Sequence, residues 1–233
     1  RGLVFGAVLV LLSGAHAAAL RQSMVVALGL KIGILGEHEQ LTDIPQYADL
    51  DTAFPLPDGQ LWNDRARALG PTKQRPYVVF DERNLLDLPG DRWAGEKTAE
   101  HEFAHAIHLA ARGFYAETDA TLWNVWWRSV RQQGLWERTY AATNYGEWFA
   151  ECSQCGFNVN RCVPVANGID NHVCTWDQLQ EYDPYAVPIM ALAYGLTVTH
   201  ARTVVPMLMA TEDSEAIIAS TDLSIDAVPC ALP

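Results

Sequence analysis

His101-Glu102-Phe103-Ala104-His105 places two imidazoles four residues apart with a carboxylate beside the first. On a helix, four residues advance about 6 Å and turn about 40° past one full rotation, so both rings can reach one metal ion at roughly 2.0 to 2.1 Å. Glu102 then flanks the same point. A zinc ion held this way lowers the pKa of its bound water toward about 7, and a carboxylate beside that water can take its proton and return it to a leaving nitrogen. The chemistry open to these side chains is metal-assisted amide hydrolysis, with His101 and His105 as ligands and Glu102 as general base.

A catalytic zinc shell takes three protein ligands and leaves one position open. The extension H-E-x-x-H-x-x-G-x-x-H is absent, because His108 occupies the place of its Gly and Ala111 the place of its last His. His108 lies on the face of His101 but about 10 Å further along the axis, too far to share one metal. It is expected to line the cleft or to brace a metal ligand from behind, or equally to be an ordinary surface histidine. Glu147 and Glu151 are better candidates, since a helix presents both on one face while Trp148 and Phe149 turn toward the core. One can bind zinc, and the other can accept the remaining N–H of a ligand histidine.

His101-Glu102-Phe103-Ala104-His105 together with Tyr140-Ala141-Ala142-Thr143-Asn144-Tyr145-Gly146-Glu147-Trp148-Phe149-Ala150-Glu151 resembles the catalytic lobe of the anthrax lethal factor family of gluzincin metallopeptidases. That family carries H-E-F-x-H and, downstream, Y-x-x-T-N-x-x-E-F-F-A-E. The resemblance runs from Glu100 to Glu151 and implies a zincin-like fold with Zn2+ as cofactor, Glu147 as third ligand and a peptide or protein as substrate. It also implies that Tyr140 assists the oxyanion, with Tyr145 and Tyr115 as rivals for that role. The sequence departs from the family at Trp148, at Tyr145 and Gly146, and in the cysteine-rich stretch after Cys152; these positions bear on substrate choice more than on catalysis.

Elements that could position these groups follow from the pattern. Leu28 to Leu35 reads as a buried strand and Tyr77 to Phe80 as a second short strand, separated by a stretch that Pro45, Pro55, Pro57, Gly59, Gly70, Pro71 and Pro76 keep free of long helices. Beyond Pro89-Gly90, helical spacing or helix formers occupy Ala99 to Ala111, Thr118 to Gln133, Gly146 to Cys155 and Pro184 to Tyr194. Asp183-Pro184 has the form of a cap and first residue of a helix. Strands followed by helices indicate the α+β class, with a small N-terminal sheet and a mostly helical C-terminal part. Trp123, Trp126 and Trp127 with Leu122 and Val130 are expected as core plus one cleft-lining aromatic, and Glu37, His38 and Glu39 as solvated charge after a strand end.

The 233 residues are 49% apolar, enough for a sizeable core, and 28 acidic against 16 basic side chains give a formal charge of -12. No basic stripe could track a phosphate backbone, so nucleic acid is not an expected partner. The longest apolar stretch, near the N-terminus, falls short of the roughly 18 to 20 residues a spanning helix needs. Arg1, an apolar run to Leu12 and then Ser13-Gly14-Ala15-His16-Ala17 have the order of a signal peptide. Residues 1–17 are accordingly expected as a leader and 18–233 as a single zincin-like catalytic domain, exported and monomeric. The competing reading makes Val8 to Leu12 a buried strand. Cys152, Cys155, Cys162, Cys174 and Cys230 suit an oxidising compartment; two bridges are expected, with Cys152 the odd thiol.

The function these features predict is that of a secreted zinc-dependent endopeptidase. The alternative, from a different class, is a zincin-fold interaction protein, toxin-like, that keeps its metal without significant turnover.

Overall fold

The computed structural model describes residues 22–198, except Met24 and Ala116. The expected leader and Cys230 lie outside the described residues.

A two-stranded parallel sheet forms one wall of the molecule, with β1 (Lys31–Leu35) paired to β2 (Tyr77–Asp81) from Lys31 opposite Tyr77 to Leu35 opposite Asp81. β2 reads as an apolar run because both of its faces are covered. Val78 and Phe80 pack toward Ala106 on one side. Val79 joins Leu35, Leu41, Tyr47, Leu50 and Trp62 on the other, a core built by the connection between the strands. That connection holds only short turns of helix, at Leu41–Asp43, Pro45–Tyr47, Leu50–Ala53 and Trp62–Arg65, as its prolines and glycines lead one to expect. β1 is shorter than its apolar run and is not the buried strand expected, because among the described residues it pairs with β2 alone and leaves Ile32 and Ile34 exposed; Gly33 within it has a packing reason, since a Cβ there would meet Ile44 Cδ1 and Val79 Cγ2 at 3.2 Å.

The helical part comprises α1 (Thr98–Phe114), α2 (Thr118–Trp126), α3 (Tyr145–Gly156), α4 (Trp176–Tyr182) and α5 (Ala186–Tyr194). With the small parallel sheet this gives the α+β class. The start of α1 is capped from a distance: the buried Asn84, on the short helix Glu82–Leu85 that follows β2, accepts from Thr98 N at 2.8 Å and from Thr98 Oγ1 at 3.0 Å. Its amide nitrogen donates to Glu96 O at 2.8 Å. One side chain thereby ties the sheet to α1. α3 is buried along its whole length, packed against α1 on one side and against Trp126, Leu179 and Met190 on the other.

Three further expectations change. The helix expected over 118–133 is α2 followed by a π-helical turn, Trp127–Gln132. Of its tryptophans, Trp123 and Trp126 are buried and Trp127 is the exposed member, stacked on Trp123 at 5.2 Å. The last helix begins at Ala186 rather than at Pro184. Asp183 still caps it, accepting from Tyr185 N and Ala186 N through Oδ1, while its other oxygen accepts from Ser129, Trp136 and Trp148. Asp183 is therefore a fully buried anchor for four elements. Finally, Cys162 and Cys174 form a disulfide while Cys152 and Cys155 are buried thiols. Cys152 is unbridged as expected. Cys155 is not bridged, because it points from α3 into the core, where its thiol donates to Val173 O at 3.2 Å.

Candidate metal centre

α1 and α3 lie side by side, and their facing sides bring His101, His105 and Glu147 together. One ligand atom from each lies within 4.8 Å of the others. Glu147 Oε2 is 3.0 Å from His101 Nε2 and 3.3 Å from His105 Nε2, and the two rings meet edge to face at 5.0 Å. Glu147 reaches this point because α3 begins where it does: Asn144 caps the helix, accepting from Gly146 N at 2.9 Å and Glu147 N at 3.0 Å. All three side chains are buried. Among the described residues no other group of His, Cys, Asp and Glu is close enough to hold a metal ion, and Glu37, His38 and Glu39 are exposed.

The residues present fit a divalent metal. His105 Nε2 is buried and makes no hydrogen bond although it lies 3.3 Å from Glu147 Oε2, so this nitrogen lacks a partner that a metal would supply. Two imidazoles and one carboxylate are a donor set that suits zinc. The electrostatics agree. Burial alone would push the Glu147 carboxyl up, yet the facing His105 and His101 hold it well below the usual carboxylate range. Burial alone would lower His101, yet Glu147, Glu151 and Glu102 raise it well above the usual imidazole value. A buried cation is the state this pocket stabilises.

Glu102 is fully buried beside the two histidines. Gly70 crosses directly over it: a Cβ on Gly70 would come within 2.9 Å of His105 Cβ and 3.2 Å of Glu102 Oε2, so the backbone approaches this closely because no side chain intervenes. Tyr47, fully buried under the sheet, has its phenol pKa raised by burial and by the Glu102 charge. Neither Gly70 nor Tyr47 is signalled by the motif, since both come from the loop-rich connection.

Tyr140 lies in a short helical turn, Tyr140–Ala142, before α3. Its ring is stacked against that of His101 at 6.2 Å, with 25° between the planes. Tyr145 instead meets His108 edge-on at 5.7 Å, away from the His101 side. His108 is buried, not an ordinary surface histidine, and does not join the metal group. Its Nε2 is 2.8 Å from Asp119 Oδ1, and Asp119 Oδ2 also pairs with Arg112 Nε at 2.6 Å. Glu151 lies on the far side of His101, with Oε1 3.3 Å from Nδ1. Gln154 Oε1 is nearer, at 3.0 Å.

Behind Glu151 is a buried acidic pair that the motif does not announce. Arg161 bonds Asp170 at 2.7 Å and approaches Glu96 at 3.6 Å. Burial first, then the charges of Glu151 and Asp170, push the Glu96 carboxyl up to about 8. No protein-family model, curated protein or solved structure matches this chain.

Proposed function

We propose that this chain is a zinc-dependent endopeptidase with a zincin-like catalytic domain, related to the lethal-factor group of gluzincins and acting after export. The observation that carries the reading is the convergence of His101, His105 and Glu147 within 4.8 Å, with Glu102 between the two histidines on the same helix. The paired motifs lend it support.

In this reading His101, His105 and Glu147 would hold the metal. Zinc, when bound, supplies Lewis acidity for the carbonyl and lowers the pKa of water toward about 7. Glu102 takes a proton from the attacking water and delivers it to the leaving nitrogen. Tyr140 donates its hydroxyl hydrogen to the oxygen on which negative charge develops. The ring stacked on His101 favours Tyr140 over Tyr145 for this role. The Cys162–Cys174 disulfide supports an oxidising, extracellular setting.

The burial of the whole group favours a second reading, an interaction protein in which the metal braces α1 against α3 without turnover. Incubating the full chain with a mixed peptide library, with and without a chelator, separates the two. Chelator-sensitive cleavage that disappears in Glu102→Ala is the expected result. A zinc-loaded parent that cleaves nothing would pass the assignment to the interaction protein.

A further inference from the structure

Gln154 has no part in the hydrolytic reading, yet it makes the shortest contact behind His101. Its amide nitrogen donates to Lys97 O at 3.1 Å. A carbonyl oxygen can only accept, so this contact fixes which end of the Gln154 amide is nitrogen and which is oxygen. The oxygen then faces His101 Nδ1 at 3.0 Å. An amide oxygen also only accepts, so Nδ1 must carry a proton. Nε2 faces the ionised Glu147 Oε2 at 3.0 Å, also an acceptor, so without metal the ring carries both protons; the proton a metal would displace is then the one on Nε2, while Nδ1–H stays with Gln154.

We infer that Gln154 is a positioning residue that fixes the tautomer and ring orientation of His101 for metal binding. This rests on the metal reading of His101, His105 and Glu147. Glu151, the carboxylate that the sequence offers for this task, is farther from Nδ1, at 3.3 Å, and its other oxygen accepts from Asn160 Nδ2 at 3.1 Å. Glu151 supplies charge behind the ring, whereas Gln154 supplies direction. The relay is anchored on both helices: Lys97 caps the start of α1, and its own N–H donates to Val159 O, just past the end of α3, at 3.0 Å.

The test uses the full chain, with zinc affinity measured by chelator competition and the His101 ring nitrogens followed by 15N NMR in the metal-free and the zinc-loaded protein. Gln154→Leu keeps the volume and removes the acceptor; it should weaken zinc binding roughly 10- to 100-fold, the usual effect of losing a partner to a ligand histidine. Gln154→Glu restores an acceptor and should recover most of that loss, which a merely structural role would not predict. In the zinc-loaded parent, His101 should keep its proton on Nδ1 with none on Nε2, and this measurement stands even if Gln154→Leu fails to fold. A proton on Nε2 with zinc bound, or parental zinc affinity in a folded Gln154→Leu, would overturn the inference. A parent that holds no zinc while its metal-free ring carries both protons would overturn the metal reading and leave the Nδ1–H contact with Gln154 standing.

Discussion

Two histidines on one helix, seven residues apart and both buried, occupy opposite electrical settings. His101 faces Glu147, with Glu151 behind it, and its pKa is raised even though burial opposes this. His108 faces Asp119, but that carboxylate is already shared with Arg112, and burial lowers its pKa. The difference lies in the count of uncompensated negative charge. Around His101 the surplus calls for a cation; around His108 the arginine has already provided it. The first region is arranged to bind, the second to hold α1 against α2.

The largest expected effect breaks the first region. His105→Ala or Glu147→Ala should abolish stoichiometric zinc, measured by metal analysis after dialysis, while Glu102→Ala keeps the zinc and loses hydrolysis by orders of magnitude. Full zinc retention in Glu147→Ala would move the ligand role to Glu151. Next, Tyr140→Phe should lower kcat roughly 100- to 1,000-fold with a smaller change in KM and unchanged zinc content, as for a lost transition-state donor. A loss of kcat in Tyr145→Phe instead would relocate that donor to the His108 side.

Breaking the second region should act on stability alone. Asp119→Ala leaves His108 and Arg112 without their shared acceptor and is expected to cost about 1 to 3 kcal/mol in a denaturant titration, with zinc content unchanged. Loss of zinc in that variant would show that the two regions are coupled along α1.

The smallest effect concerns the acidic pair behind the first region. Glu96 titrates near 8 in the folded protein against an ordinary value of 4.5. Between those values the folded state holds a proton that the unfolded state has released, so this group's contribution to stability declines as pH rises through that window and levels off above about 8. Glu96→Gln should flatten the fall in melting temperature between pH 5 and 8. An unchanged slope would assign the pH dependence to other groups.

What the sequence discloses of this comparison is its local half. The i, i+4 spacings of His101 with His105 and of Glu147 with Glu151 can be read from helical geometry alone. Strand positions and the main helices were also accessible, because apolar period and Pro/Gly punctuation are local signals. The partners were not. Asn84 caps a helix that begins 14 positions later, and Asp119 reaches His108 from the next helix. Gln154 meets His101 only because two helices cross at one particular register. Asp183 has a cap-like sequence that gives no hint of the two indoles it binds. A local signal of the same kind is Thr175-x-x-Gln178, a capping box that starts α4.

The Cys162–Cys174 bridge ties down the segment on which Tyr140 leans. Tyr140 N donates to Ile169 O at 2.8 Å, and Gly168 N donates to Arg138 O at 2.9 Å, so both contacts are made by residues inside the loop that the bridge closes. Closing a loop of this size contributes about 3 kcal/mol through the entropy of the unfolded chain. A reductant that opens the bridge therefore removes a constraint on the backbone carrying the proposed oxyanion donor while leaving His101, His105 and Glu147 on intact helices. The redox poise of the surroundings thus acts on the proposed reaction step separately from metal binding, and a reduced sample is expected to keep its zinc and turn over more slowly.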